Sequence, residues 1–166
     1  MSSYTLPHFG EIDLSNLDEY YDVEIEMNGK EVDLDLNFEK KTVDPARLDI
    51  VKKFLEKLPE FDQKNKKYIV EDFEGEDNDT VATYVEHHLE ELDEDELGEI
   101  IDFKNEAVEP EKQFIDALHL TRVGFYPDGD DQFAIFDYSI GRELTDYLVV
   151  IFTDENGELE YMTMES

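Results

Sequence analysis

The chain has no cysteine and no tryptophan, and three of its 166 residues are arginine. Without cysteine there can be no disulfide, no thiol nucleophile and no cysteine-ligated zinc or iron–sulfur centre, which fits a reducing compartment. The absence of tryptophan and the scarcity of arginine leave a substrate cleft without its usual anchors. No Gly-x-Ser-x-Gly elbow presents a serine nucleophile, and the eight glycines form neither of the common phosphate-binding loops. His87 and His88 are adjacent, with no second histidine one helical turn on, so the spacing is wrong for a helical zinc pair. Asp72 to Asp79, Asp128 to Asp131 and the segment from Asp154 fail the twelve-residue calcium-loop pattern and read as turns. No cofactor is therefore expected. No window approaches the roughly 18 apolar residues of a membrane span, Met1 to Gly10 lacks a signal-peptide pattern, and lipidation motifs are missing; the expected location is the cytoplasm.

What is present in excess is carboxylate. There are 46 acidic against 14 basic residues, a formal net charge of −32, where a charge of about 2 to 8 keeps a small domain in solution. Eleven lysines and a rich aromatic content are unlike salt adaptation. Such a surface repels bare nucleic acid and anionic membranes and steers in cationic proteins. The charge is uneven: residues 1–70 carry 16 acids and 10 bases, whereas 71–166 carry 30 and 4. No linker or repeat separates the two parts, so residues 1–166 read as one domain. A hydrophobic content of 40% supports a packed core.

From Tyr20 to Phe38 apolar and polar residues alternate around Asn28-Gly29, a dipeptide suited to the two positive-φ positions of a type I′ turn. The resulting hairpin register sets Ile25 opposite Val32 and Val23 opposite Leu34. Asp44-Pro45 starts a helix whose apolar stripe runs to Pro59, and a second helix is expected from about Asp62, with Lys64, Lys66 and Lys67 in its first turns. Asp79 is expected to cap a third helix and Asp93 a short fourth; another turn of helix spans Pro110 to Ala117. From Leu118 the period becomes two, with turns near Pro127-Asp128-Gly129-Asp130 and Asp154 to Gly157, giving strands near 118–126, 132–140, 146–153 and 158–164. The expected fold is α+β: an antiparallel sheet made of the N-terminal hairpin and a C-terminal four-stranded meander, with a central helical segment packed on one face.

The same hairpin register puts Asp22 opposite Asp35, Glu24 opposite Asp33 and Glu26 opposite Glu31. Like-charge cross-strand pairs cost about a few tenths of a kcal/mol or more each, so this face is either hydrated or matched to something positive. A second concentration spans Glu86 to Glu99, with eight carboxylates in fourteen residues and no lysine or arginine. It is either a solvated helical face or a surface for a basic partner. Candidate partner-binding residues are thus Asp22, Glu24, Asp33 and Asp35 on the hairpin, and Glu90, Glu91, Glu94 and Glu96 on the helices. With 46 acids, some carboxylate pair at hydrolase spacing is assured by chance, so counting pairs says nothing about catalysis.

The opening Leu6-Pro7-His8-Phe9-Gly10-Glu11-Ile12, the hairpin around Asn28-Gly29, and the ending Asp146 to Val150 through Asn156-Gly157-Glu158-Leu159 resemble a bacterial domain-of-unknown-function family, identified as number two thousand and four. The motifs are structural punctuation and carry over no catalytic residue. Small, acidic, cytoplasmic α+β families of this kind resemble immunity proteins, which implies a toxin-like basic protein partner. The leading expectation is a non-enzymatic acidic binding protein. The alternatives are a carboxylate- or metal-dependent hydrolase built on His87 or His119, and a housekeeping domain without a specific acidic site.

Overall fold

A computed structural model describes residues 3–75, 79–129 and 132–166. The fold is α+β. A two-stranded antiparallel hairpin, β1 (Ser3–Leu6) and β2 (Gly10–Asp13), precedes β3 (Tyr20–Met27) and β4 (Lys30–Asn37). Helices α1 (Pro45–Glu56), α2 (Leu58–Glu74), α3 (Thr80–Glu91), α4 (Glu94–Leu97) and α5 (Pro110–Ala117) follow. Strands β5 (His119–Phe125), β6 (Ala134–Ser139), β7 (Leu148–Thr153) and β8 (Leu159–Glu165) complete a six-stranded sheet of order β3-β4-β5-β6-β7-β8.

The β3–β4 register is the expected one, with Ile25 opposite Val32 and Val23 opposite Leu34. Asn28 and Gly29 close it at φ of 54° and 78°. The sheet is mixed, because β4 and β5 run parallel, and this corrects the expected all-antiparallel arrangement. A two-residue turn forces antiparallel neighbours, but the long helical connection from β4 to β5 imposes no direction and can return the chain to the starting end. Alternation within each strand looks the same in either direction. The β1–β2 hairpin was not expected; it turns through Pro7 to Gly10, with His8 and Gly10 at positive φ.

Helix starts follow local chemistry, with two corrections. Asp44 accepts from the Ala46 N–H at 2.9 Å, and Asp93 and Glu96 form a reciprocal capping box at α4. Pro59 does not close α1: it lies in the first turn of α2, where its missing N–H is harmless, so Lys64, Lys66 and Lys67 fall in mid-helix. Asp79 occupies the cap position of α3 without a side-chain bond, and Asp72 of α2 instead accepts from the Val81 N–H at 2.8 Å. Asp72 is buried, so this bond ties two helices together.

One face of the sheet forms the core. Along the row Leu34, Val123, Phe136 and Ile151 are fully buried, and the helices contribute Leu48, Phe54, Ile69, Val85 and Phe114 to the same cluster. Phe54 stacks on Phe61 at 4.3 Å and lies 5.7 Å from Phe133 between ring centroids. Gly157, at φ 77°, admits that stack: a Cβ there would come within 2.5 Å of the Phe61 ring.

Candidate functional site

The opposite sheet face is split across its width. Register places Glu24, Asp33, Arg122, Asp137, Val150 and Thr163 in one cross-strand row. The next row holds Asp22, Asp35, Gly124, Ile135, Phe152 and Tyr161. In these two rows the acids are concentrated on β3 and β4, with Asp137 on β6 as the exception, and the apolar groups lie on β6 to β8, where Phe152 and Tyr161 stack at 4.1 Å.

Arg122 sits at the seam. Its Nε and Nη2 donate to the two oxygens of Asp35 at 2.8 and 2.9 Å, Nη2 also donates to the Tyr126 hydroxyl at 3.2 Å, and Nη1 lies 3.6 Å from Asp137. Gly124 makes room for it, since a Cβ there would fall 2.6 Å from Nη2. Burial pulls the Arg122 pKa down, but the bonds to Asp35 and Tyr126 outweigh it and raise the value above the usual guanidinium range. Burial raises the Asp137 pKa against the pull of Arg122. Asp35 also accepts from Asn37 at 2.7 Å and is 3% exposed.

The hairpin quartet is therefore not one uniform surface. Asp22 and Glu24 are exposed, Asp33 is half-buried and 3.1 Å from Arg142, and Asp35 is buried against Arg122. Two of the three arginines sit among these acids, a distribution that sequence spacing did not reveal.

The helical quartet is arranged differently. Glu90, Glu91 and Glu94 are exposed, whereas Glu96 is half-buried and accepts from the Asp93 N–H at 3.2 Å in the capping box. Among the described residues, no ion pair reaches any carboxylate from Glu86 to Glu99; the pairs lie at Arg47–Glu155, Lys64–Glu158, Lys66–Asp62, Arg122 and Arg142. Exposed Tyr147 stands next to this region, edge-on to His87 at 4.6 Å, and Phe103, 53% exposed, follows α4.

His88 belongs to the interior. Its Nδ1–H donates to the Tyr84 carbonyl at 2.7 Å, which leaves Nε2 to accept from the Thr145 hydroxyl at 2.8 Å. Burial lowers its pKa, so it is held neutral. His119 instead lines a cleft of about 420 Å³ at the end of the sheet where β4 and β5 begin, with Lys30, Asp62, Lys66, Glu99 and Asp116. Burial lowers the His119 pKa as well, and the nearby charges of Lys30 and Lys66 push the same way. Within this wall Asp62 is 3% exposed and accepts from the buried Tyr138 hydroxyl at 2.7 Å. Among the described residues, no three histidine, aspartate or glutamate side chains are grouped to hold a metal ion. No helix among them is long and apolar enough to cross a membrane. Of the acidic turns, Asp128 accepts from the Glu39 and Lys40 N–H groups and Asp154 from those of Asn156 and Glu158; Asp130, Asp131 and residues 76–78 lie outside the described residues.

Residues 7–163 match the family described as "Uncharacterized protein conserved in bacteria (DUF2262)". The chain belongs to this family. The number two thousand and four expected from the sequence is corrected accordingly: the motifs behind it, Asn28-Gly29 and Asn156-Gly157, are turn chemistry that unrelated folds share. The family description lends no support to an immunity-type resemblance. No curated protein and no solved structure matches the chain.

Proposed function

We propose that this protein is a non-enzymatic binding protein whose acidic α3–α4 surface engages a basic protein partner. One observation carries the reading: Glu86 to Glu99 holds eight carboxylates, six of them within α3 and α4, with no ion pair among the described residues, while arginines are engaged elsewhere. Uncompensated charge of one sign accelerates encounter with the opposite sign, and desolvated aromatics hold the complex once formed. Tyr147 and Phe103 are the anchors, and Glu90, Glu91 and Glu94 the steering charges. Asp22 and Glu24 extend the attractive field on the free edge strand; Asp33 and Asp35 serve the protein's own arginines first.

The hydrolase alternative draws on one observation, the placement of His119 in the 420 Å³ cleft beside Asp62 and Asp116. Housekeeping without a specific acidic site is the third reading.

Chemical cross-linking in bacterial cells, followed by purification of each cross-linked protein and its kinetics with this chain, tests the proposal. A basic partner whose association slows about tenfold or more in low salt with the combined substitutions Glu90→Lys, Glu91→Lys and Glu94→Lys supports it. An association rate unchanged by these substitutions contradicts it. Hydrolytic activity lost in His119→Ala would favour the alternative.

A further inference from the structure

A second feature borders the acidic segment at Glu99 and does not depend on the reading given to α3 and α4. We propose that the cleft at the beginning of β4 and β5 binds a small zwitterion, a carboxylate and an ammonium group on a short apolar stem. Carboxylates near any cavity mean little in this chain, because 46 of them crowd its surface. Cations carry information. Lys and Arg together number 14, yet Lys30 and Lys66 line one cleft with His119, although their charges work against protonation of that histidine.

The two charge types divide the work. Lys66 lies 3.7 Å from Asp62, whose other oxygen already takes the Tyr138 hydroxyl, and Lys30 has no ion pair among the described residues. Both lysines therefore retain donors for a ligand carboxylate. His119 donates Nδ1–H to the Ala117 carbonyl at 3.2 Å, which leaves Nε2 as an acceptor; with the exposed carboxylates of Glu99 and Asp116 it suits an ammonium group. Met27, Ile100, Leu120 and Ile140 supply apolar wall for the stem. A volume of about 420 Å³ is at the small-ligand end of binding clefts, which run from about 300 to 1,000 Å³.

A ligand with one charge fits less well. A plain anion must enter against a protein of net charge −32, and a plain cation leaves Lys30 without a partner and Lys66 with only its 3.7 Å contact to Asp62. A molecule neutral overall escapes the first penalty and meets both sets of groups.

The test uses three probes of one shape, L-leucine, N-acetyl-L-leucine and L-leucinamide, titrated into the full chain and followed by amide and imidazole NMR shifts. L-leucine is expected to shift His119, Lys30 and Ile100 with a dissociation constant of about 1 mM or tighter, about −4 kcal/mol on the standard scale. The two singly charged probes should bind at least about tenfold more weakly. Lys30→Gln, an exposed substitution at the hairpin end that leaves the core untouched, should weaken L-leucine by about tenfold while the remaining spectrum stays as in wild type. The proposal is overturned if L-leucine shifts no cleft resonance at about 10 mM. It is equally overturned if either singly charged probe binds as tightly as L-leucine, or if Lys30→Gln leaves its affinity unchanged.

Discussion

Two acidic regions of this molecule look alike in composition and differ in chemistry. On β3 and β4, Asp33 and Asp35 have been drawn into the protein's own structure by Arg142 and Arg122. On α3 and α4, Glu90, Glu91 and Glu94 stand in solvent with no ion pair among the described residues. A carboxylate near an arginine at a sheet seam is part of the fold, and one on a bare helical face is available to something else. Whether an acid is a structural group or a display group is decided by where the few cations go.

The largest effect is expected from Arg122→Ala. It leaves Asp35 and Asp137 in the sheet seam without their cation, and removing one partner of a buried pair costs about 3 to 5 kcal/mol. For a chain of this size that corresponds to a fall of about 10 °C in melting temperature by calorimetry. A fall below about 2 °C would mean that the seam acids do not depend on the arginine.

Tyr138→Phe asks the same of the helix side, where the Tyr138 hydroxyl serves the buried carboxylate of Asp62. Burial, reinforced by the Asp62 charge, pushes the Tyr138 pKa well above its usual value, so the phenol stays a donor. Its loss is expected to cost about 1 to 3 kcal/mol in urea unfolding, with an unchanged dependence on urea concentration.

His88 offers a pH test. Its folded pKa lies below the usual 6.5 or so because burial disfavours the imidazolium. The unfolded chain therefore takes the proton first: the contribution is complete above about pH 6.5 and is lost as pH falls from there toward the folded value, by at most about 1.4 kcal/mol per pH unit. Acid also relieves carboxylate repulsion, so the quantity to compare is the stability change between about pH 7.5 and 5.5 in wild type and in His88→Asn. Wild type should lose more, and equal losses would place His88 outside the titration.

Arg142→Ala gives the smallest effect. Its pair with Asp33 is exposed on both sides, a setting worth about 0 to 1 kcal/mol. A loss as large as that of Arg122→Ala would erase the distinction between seam and surface.

Much of this arrangement is legible in the residues. Period-two alternation and Asn28-Gly29 determine the hairpin register to the residue, and Pro110, Asp44 and Asp93 mark helix starts. Direction across the β4–β5 junction is not encoded in alternation, because Leu34 and Val123 pair equally well in either sense; the topology of the helical connection decides it. Asp72 replaces Asp79 as the donor-satisfying group of α3 through a contact between helices, which no local pattern announces. The acids at Asp33 and Asp35 were visible as like-charge partners of Glu24 and Asp22, but their arginines come from β5 and the loop after β6, far along the chain. The cleft was legible only as isolated residues, since Lys30, Lys66 and His119 share no motif.

The α3–α4 carboxylates are displayed and do not support the fold. The direct measurement is the melting temperature of the combined Glu90→Lys, Glu91→Lys and Glu94→Lys protein against wild type, at low salt and at about 0.2 M, where screening extends beyond about 7 Å. Wild type is expected to gain stability on adding salt, and the substituted protein to be at least as stable in low salt and to respond less to it. A substituted protein that melts several degrees lower, together with a wild type destabilised by salt, would contradict the claim.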